Sequence, residues 1–354
     1  MPPPARSSTV VRMNLRTPAW LLATASMLVA SSAAMAEDTP TPPPSQTFAL
    51  TDATALLEHG VQAASAEYQG RKAIRLTRDV PDSDGLAIVK GTNFRDGSID
   101  VDLATNPAEP PGGGRPGFVG VAFRIGQDPS HAEIFYIRPG NSLAGDQARR
   151  NHAVQYVSSP HYGWEKLRRT WPAIYEAWAD LTPLAWTHVR IEVHGRKAQL
   201  FLNGSPHPSL IIDGLKGEDL QGPVALWTYS EEESYFANLK IENAQPDPLQ
   251  NGGDVAGNWD IQFLTDAGGL PGTFKLVRQD ASVGGFYTGA LGPNQPVYGT
   301  WRDGYMELTF SGVWPDEPGT VTATLAGWVD GDSAKGRVKV EGRADGVFAA
   351  TRQK

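Results

Sequence analysis

Between residues 118 and 178 the chain concentrates side chains that bind hydroxyls and move protons. Glu133-Ile134-Phe135-Tyr136-Ile137-Arg138-Pro139 is followed by Arg149-Arg150-Asn151-His152-Ala153-Val154-Gln155-Tyr156 and by His161-Tyr162-Gly163-Trp164. Arg124 and Arg138 each offer a planar fork of donors for hydroxyl or carboxylate oxygens; the alternative is that both are held in ion pairs with neighbouring strands. Asn151 and Gln155 carry paired donors and acceptors that match vicinal hydroxyls. His152 serves either as a general base or as a donor, and the adjacent Arg149 and Arg150 favour the donor by lowering its pKa. Tyr162, Trp164, Trp171, Tyr175 and Trp178 follow within residues 161–178. Aromatic faces of this kind cover the apolar faces of ring-shaped ligands while their polar tips hydrogen-bond. Some of the five must anchor the loop, and Trp178 is expected to be such an anchor. Glu133 and Glu176 are the candidate acid/base groups, in the way that paired carboxylates cleave glycosides. Strand parity sends Glu133 to the core side with Phe135, which leaves Glu176 and His152 as the catalytic candidates.

The elements that must position these groups are short alternating strands. Ile74 and Leu76 share one face. Ile99, Val101 and Leu103 oppose Asp100 and Asp102. Val119, Val121, Phe123 and Ile125 oppose Gly120, Ala122 and Arg124, and Val189, Ile191 and Val193 oppose His188, Arg190 and Glu192. If Phe123 lies opposite Phe135, then Gly120 and Ala122 sit beside Tyr136 and Arg138, and the small residues leave room for a ligand. Continuing the alternation through 151–157 puts His152, Val154 and Tyr156 on one face and Asn151, Ala153, Gln155 and Val157 on the other. Residues 173–181 fit either a helix or a strand. Gly195-Arg196-Lys197 and Asn203-Gly204 punctuate hairpins. Many short antiparallel strands in about 200 residues predict an all-β, two-sheet jelly-roll sandwich. Gly-bounded hairpins after residue 257 predict a small antiparallel up-and-down β-barrel, whose closure removes exposed edges. The expected boundaries are 48–243 for the sandwich, 244–256 for a linker and 257–354 for the barrel.

Trp186-Thr187-His188-Val189-Arg190-Ile191-Glu192-Val193, Phe201-Leu202-Asn203-Gly204, Gly222-Pro223-Val224-Ala225-Leu226-Trp227 and Tyr235-Phe236-Ala237-Asn238-Leu239-Lys240-Ile241 resemble the concanavalin A-like lectin/glucanase superfamily. Within it the chain is most similar to laminin-G-like and 3-keto-disaccharide hydrolase-like sandwiches. The Glu-x-Asp-x-x-Glu strand of the glucanases is absent. The Gly257-x-Trp259 opening and terminal Arg352 are similar to calycin barrels. The polar and aromatic cluster on such a sandwich points to a saccharide or glycan partner, bound through Arg124, Tyr136, Arg138, Asn151, His152, Gln155, Tyr162 and Trp164. The resemblance leaves open a glycoside hydrolase or lyase of the 3-keto-disaccharide hydrolase-like type, with His152 or Glu176 as acid/base, and a structural envelope or adhesion protein. No cofactor is expected, and no metal-spaced cluster or nucleophile elbow occurs; laminin-G-like relatives add only structural calcium, with Asp213-Gly214 or Asp96-Gly97 as donors, both ordinary turn pairs.

Residues 1–36 read as an export signal: Arg6, Arg12 and Arg16, an apolar run over 19–30 and Ala34-Met35-Ala36 before Glu37. The run is too short for a membrane span. A Pro/Thr-rich linker is expected over 37–47. The chain contains no cysteine, which suits a bacterial periplasm or secretion without disulfides. Its formal charge is −8, and −11 once the three signal arginines are removed. That balance disfavours nucleic acid and anionic membranes as partners.

Overall fold

A computed structural model describes residues 45–81, 83–106, 117–217, 221–230, 233–245 and 253–354. The expected export signal, 1–36, lies outside the described residues. Among the described residues no helix is long and apolar enough to cross a membrane.

The first part of the chain is a sandwich of two antiparallel sheets. One has eight strands, in the order Leu210–Ile212, Lys197–Leu202, Thr187–His194, Gly97–Asn106, Glu233–Asn243, Arg71–Arg78 and Val61–Tyr68. Its eighth strand, Gln46–Phe48, pairs with residues 239–241, beyond the stretch of the same strand that Arg71–Arg78 occupies. The linker expected over 37–47 therefore ends early, because Gln46 and Thr47 are already in a sheet. The other sheet has seven strands: Glu176–Ala177, Val154–Ser159, Ala132–Ile137, Val119–Phe123, Ala225–Thr228, Gly85–Val89 and Leu56–His59.

Alternation sorts the faces as expected. Val121, Phe135, Tyr156 and Leu226 join Ile99, Val101, Leu103, Val189 and Ile191 in the core between the sheets. The register differs by two residues from expectation: Val121 lies opposite Phe135, Phe123 opposite Glu133 and Val119 opposite Ile137. A shift of two leaves every side chain on its face, and Phe123 and Phe135 still stack diagonally with centroids 6.2 Å apart. The solvent face of the eight-stranded sheet is a ladder of charge: Arg190 bonds Asp100 at 2.8 Å, Arg71 bonds Asp102 at 2.6 Å and Arg75 bonds Glu233 at 3.0 Å. Glu233 opens the strand Glu233–Asn243 that carries this end of the ladder.

The second part is a closed eight-stranded barrel in sequence order, from Gly257–Thr265 to Ala344–Arg352, with the first strand paired to the last. Aromatic rings fill its interior: Tyr287 stacks on Phe310 at 4.4 Å and on Phe263 at 5.9 Å. Arg352 lies 4.2 Å over the ring of Trp259, joining the Gly-x-Trp opening to the last strand. Val255 is fully buried in the barrel core and Asp254 bonds Arg278 at 2.8 Å, so the barrel takes in the end of the stretch expected as linker.

Candidate functional site

A transverse row on the outer face of the seven-stranded sheet runs Glu176, Gln155, Tyr136, Gly120, Trp227 and Leu86. Gly120 organises it. A Cβ there would lie 2.2 Å from Phe135 O and 2.6 Å from Tyr136 Cβ, so no other residue fits. With that position bare, the rings of Tyr136 and Trp227 meet across it, centroids 4.8 Å apart. Phe118 packs 5.9 Å from Tyr136 and 5.8 Å from Tyr229. Together with Trp164 and Asp84, these aromatic residues line a cavity of about 200 Å³. Trp164 opens the helix Trp164–Thr170 and stays 45% exposed at the rim.

Asp84 is the charged wall of this cavity. Trp227 Nε1 donates to its Oδ1 at 3.0 Å and Ser159 Oγ to its Oδ2 at 3.3 Å. Burial pushes the Asp84 carboxyl above the usual aspartate range, against these hydrogen bonds and the nearby Arg78. Burial likewise pushes the Tyr136 phenol up to about 12, against the pull of Arg138.

Beside the cavity lies a polar row. Arg138 donates to Gln155 Oε1 and lies 5.2 Å over Tyr136; its Nε is buried without a partner. Gln155 donates to Tyr175 O at 3.3 Å. Arg168 holds Glu176 with two nitrogens, at 2.9 and 2.6 Å, the bidentate geometry that makes such pairs strong. His152 Nδ1 sits 2.9 Å from Glu176 Oε2, yet it counts among the buried atoms without a hydrogen bond. The two groups are close without an aligned hydrogen bond. Burial lowers the His152 pKa, with Glu176 opposing and Arg168 and Arg138 adding to the fall, so the ring is neutral near pH 7.

Tyr136, Arg138, His152 and Gln155 thus come together on one face, with Trp164 at its rim; alternation puts His152 on the face opposite Gln155, but His152 precedes the strand Val154–Ser159 and escapes its period. Three residues predicted with them do not. Arg124 follows its strand with φ +52, which turns the side chain off the face, and its guanidinium binds Arg95 O, Asp96 at 3.0 Å and Gly195 O at 2.7 Å. Asn151 caps the helix Gln147–Arg150 instead of starting a strand, so alternation does not reach it; its exposed Oδ1 accepts from Gln147. Tyr162 points away from this face and donates to Glu307 of the barrel at 3.0 Å. Trp178, expected as the buried anchor, is 52% exposed, and Trp171 fills that role. Within residues 173–181 only Glu176–Ala177 is regular, as a strand.

A second polar cluster lies where the sandwich meets the barrel. Glu133 faces the core side, as parity predicted. It accepts from Tyr156 Oη at 2.5 Å and Gly217 N at 2.8 Å, and burial pushes its carboxyl up. Lys216 Nζ donates to Tyr305 Oη at 3.1 Å and pairs with Glu307, ringed by Tyr305, Tyr175 and Tyr162 at 4.9, 5.4 and 5.8 Å. Arg196 pairs with Asp303 at 3.0 Å.

Neither suggested calcium donor is in a cation cage. Asp96 binds Arg124 and Gly195 N, and Asp213 faces Lys197 at 3.5 Å. Among the described residues no group of three or more potential metal ligands gathers.

No family model and no curated protein matches the chain. Similar solved structures include a carbohydrate-binding module from Bacillus subtilis, 13% identical, with a TM-score of 0.35 over 52% of this chain and 97% of that one. A glycosyl hydrolase-like protein from Parabacteroides distasonis is 15% identical, with a TM-score of 0.35 over 56% of this chain and 94% of its own. An endo-β-galactosidase from Clostridium perfringens that releases GlcNAcα1-4Gal is 9% identical, with a TM-score of 0.32 over 90% of this chain and 100% of its own.

Proposed function

We propose that this is an exported protein that binds a saccharide on the outer face of the seven-stranded sheet. The observation that carries the reading is the cavity between Tyr136, Trp227 and Trp164, with Asp84 held in its wall. A sugar ring has apolar faces and a rim of hydroxyls. The aromatic rings suit the faces, and a carboxyl fixed by Trp227 and Ser159 accepts from the rim. At about 200 Å³ the cavity is below the range of drug-sized pockets and suits one ring of a glycan. Arg138 and Gln155 are buried beside it and back its wall, and the partly exposed His152 contributes as a neutral hydrogen-bonding group.

Calorimetric titration against a panel of neutral and acidic saccharides tests this. Trp164→Ala and Asp84→Ala, checked for unchanged folding, are expected to weaken the tightest ligand by about 30-fold or more, the scale of an interface hot spot. A panel without a ligand, or a ligand that ignores both changes, refutes the site. Cell fractionation tests export.

A second reading, cleavage of a glycoside, is favoured by Asp84 rather than by His152 or Glu176, because Glu176 is already held by Arg168. A carboxyl raised by burial next to a sugar-sized cavity has the property that a general acid needs. Turnover of glycosides, 3-keto sugars included, that disappears in Asp84→Asn while binding persists would favour this reading. Binding without turnover leaves the binder.

A further inference from the structure

The helix Trp164–Thr170 carries a polar surface beside the aromatic cavity. Trp164 and Arg168 are four residues apart and share one helix face, and the Arg168 guanidinium lies 4.8 Å over the Trp164 ring. Glu176 grips that guanidinium with both carboxylate oxygens, one 2.9 Å from Nε and the other 2.6 Å from Nη2. The Glu176 side chain is 5% exposed and the Arg168 side chain 30%. A buried carboxylate thus holds one edge of the fork and leaves the third nitrogen, Nη1, over. Nη1 has no partner among the described residues and is not buried. His152 adds a second such group. Its Nδ1 is turned to Glu176 at 2.9 Å, while Nε2 has no partner among the described residues and is not buried.

Register fixes where this surface lies. Glu176 pairs with Gln155, and Gln155 with Tyr136, across adjacent strands. Two strand spacings, about 10 Å, therefore separate the anchor of Arg168 from the cavity wall, which is room for one more sugar ring. Gln155 is fully buried between them, so a ligand that leaves the cavity past Trp164 meets Arg168 and His152 instead. The accessible groups carry no unspent charge. Glu176 takes the Arg168 charge through two nitrogens, and the His152 ring is neutral near pH 7. Arg138 is buried and donates to Gln155. What remains for a ligand is a pair of neutralised hydrogen-bonding groups, which match hydroxyls rather than carboxylates.

We propose that this rim is a second sugar subsite, so that the sandwich face takes a neutral oligosaccharide of at least two rings, one in the aromatic cavity and the next on Arg168 and His152. The inference rests on the reading of the cavity as a saccharide site. Trp164 belongs to both subsites: its ring lines the cavity, and the guanidinium stacked on it holds the indole in place before any ligand arrives. Arg168 Nη1 donates to a hydroxyl of the second ring.

The test uses the full chain with cello-, laminari- and manno-oligosaccharides, each series starting from its single sugar, and oligogalacturonates as the acidic control. Calorimetry reads the affinities, with NMR titration for the weak single rings. In the series that binds, two rings are expected to bind at least tenfold more tightly than one. Arg168→Lys keeps a cation for Glu176 but has no planar fork and so no third nitrogen; the two-ring to one-ring affinity ratio should fall at least fivefold. Arg168→Met combined with Glu176→Gln removes the pair without stranding a buried carboxylate and should lower the ratio as much. Asp84→Ala, in the cavity, should weaken both ligands and keep the ratio. The proposal is overturned if the second ring adds nothing, if its gain survives both Arg168 changes, or if the acidic oligomers bind more tightly than the neutral ones. Single rings that bind without a gain from the second leave the cavity standing and remove the subsite, whereas no saccharide binding at all removes both.

Discussion

The pair Lys216–Glu307 is where burial makes the sharpest demand on stability. The lysine side chain is 1% exposed and the glutamate 20%. Glu307→Ala removes the only carboxylate paired with this ammonium among the described residues and leaves the charge among three phenol rings. Breaking a buried pair from one side costs about 3–5 kcal/mol, and cation–π contact with the rings returns part of that, so a loss of about 3 kcal/mol is expected. With an unfolding entropy of roughly 2.1 cal/mol/K per residue over about 300 residues, the melting temperature should fall by about 5 °C. Lys216→Met should cost less, about 1–2 kcal/mol, because the stranded carboxylate still reaches solvent and keeps the Tyr162 hydroxyl. The double change Lys216→Met with Glu307→Leu should return to within about 1 kcal/mol of wild type. Burial alone would lower the Lys216 pKa, but Tyr305, Tyr175 and Glu307 outweigh it and hold the ammonium well above the ordinary lysine range. The folded value being raised, the pair's contribution is complete at neutral pH and fades only as pH climbs past that range. Calorimetry and denaturant titration of the three variants decide the matter. A cost below about 1 kcal/mol for Glu307→Ala, a larger cost for Lys216→Met than for Glu307→Ala, or losses that simply add in the double variant would refute the reasoning.

Two further outcomes follow from the geometry. Asp84 has its folded pKa raised by burial, so its stabilising contribution is full below the usual aspartate range and is lost as pH rises through the folded value; Asp84→Asn should flatten that part of the stability-versus-pH curve in thermal melts, and an unchanged slope would count against a buried, protonatable carboxyl. Trp171→Ala should lose about 3–5 kcal/mol in denaturant titration, whereas Trp178→Ala, more than half exposed, should stay within about 0.5 kcal/mol.

The faces of the sandwich were legible in the sequence because alternation is a local property. Ile99, Val101 and Leu103 against Asp100 and Asp102, or Val121 against Gly120, can be sorted without knowing any partner. Register was less legible: sliding Phe123 from Phe135 to Glu133 preserves the alternation, and only packing chooses. Parity failed where the strand stopped. Arg124 lies past the end of its strand in left-handed backbone, and Asn151 sits in a helix cap, so neither obeys the period assumed for it. Asp84 was missed because it reads as a turn acid next to Gly85, and what makes it a site is Trp227, 143 residues away. Parity with Ala225 and its partner Ala122 was the one local hint that Trp227 faces outward.

The short strand Gln46–Phe48 has a kinetic consequence. It completes its sheet by pairing with residues 239–241, whereas every barrel strand pairs with the next in sequence and one long-range ladder closes the ring. Loop closure slows the pairing of distant segments. A chain threaded from its N-terminus therefore holds an unmatched edge for nearly two hundred residues, and the sandwich cannot finish until just before the barrel emerges. The barrel's hairpins need no such wait. The sandwich can thus finish before the last barrel strand, Ala344–Arg352, closes the ring, and the Lys216 cage between the two can form only after both.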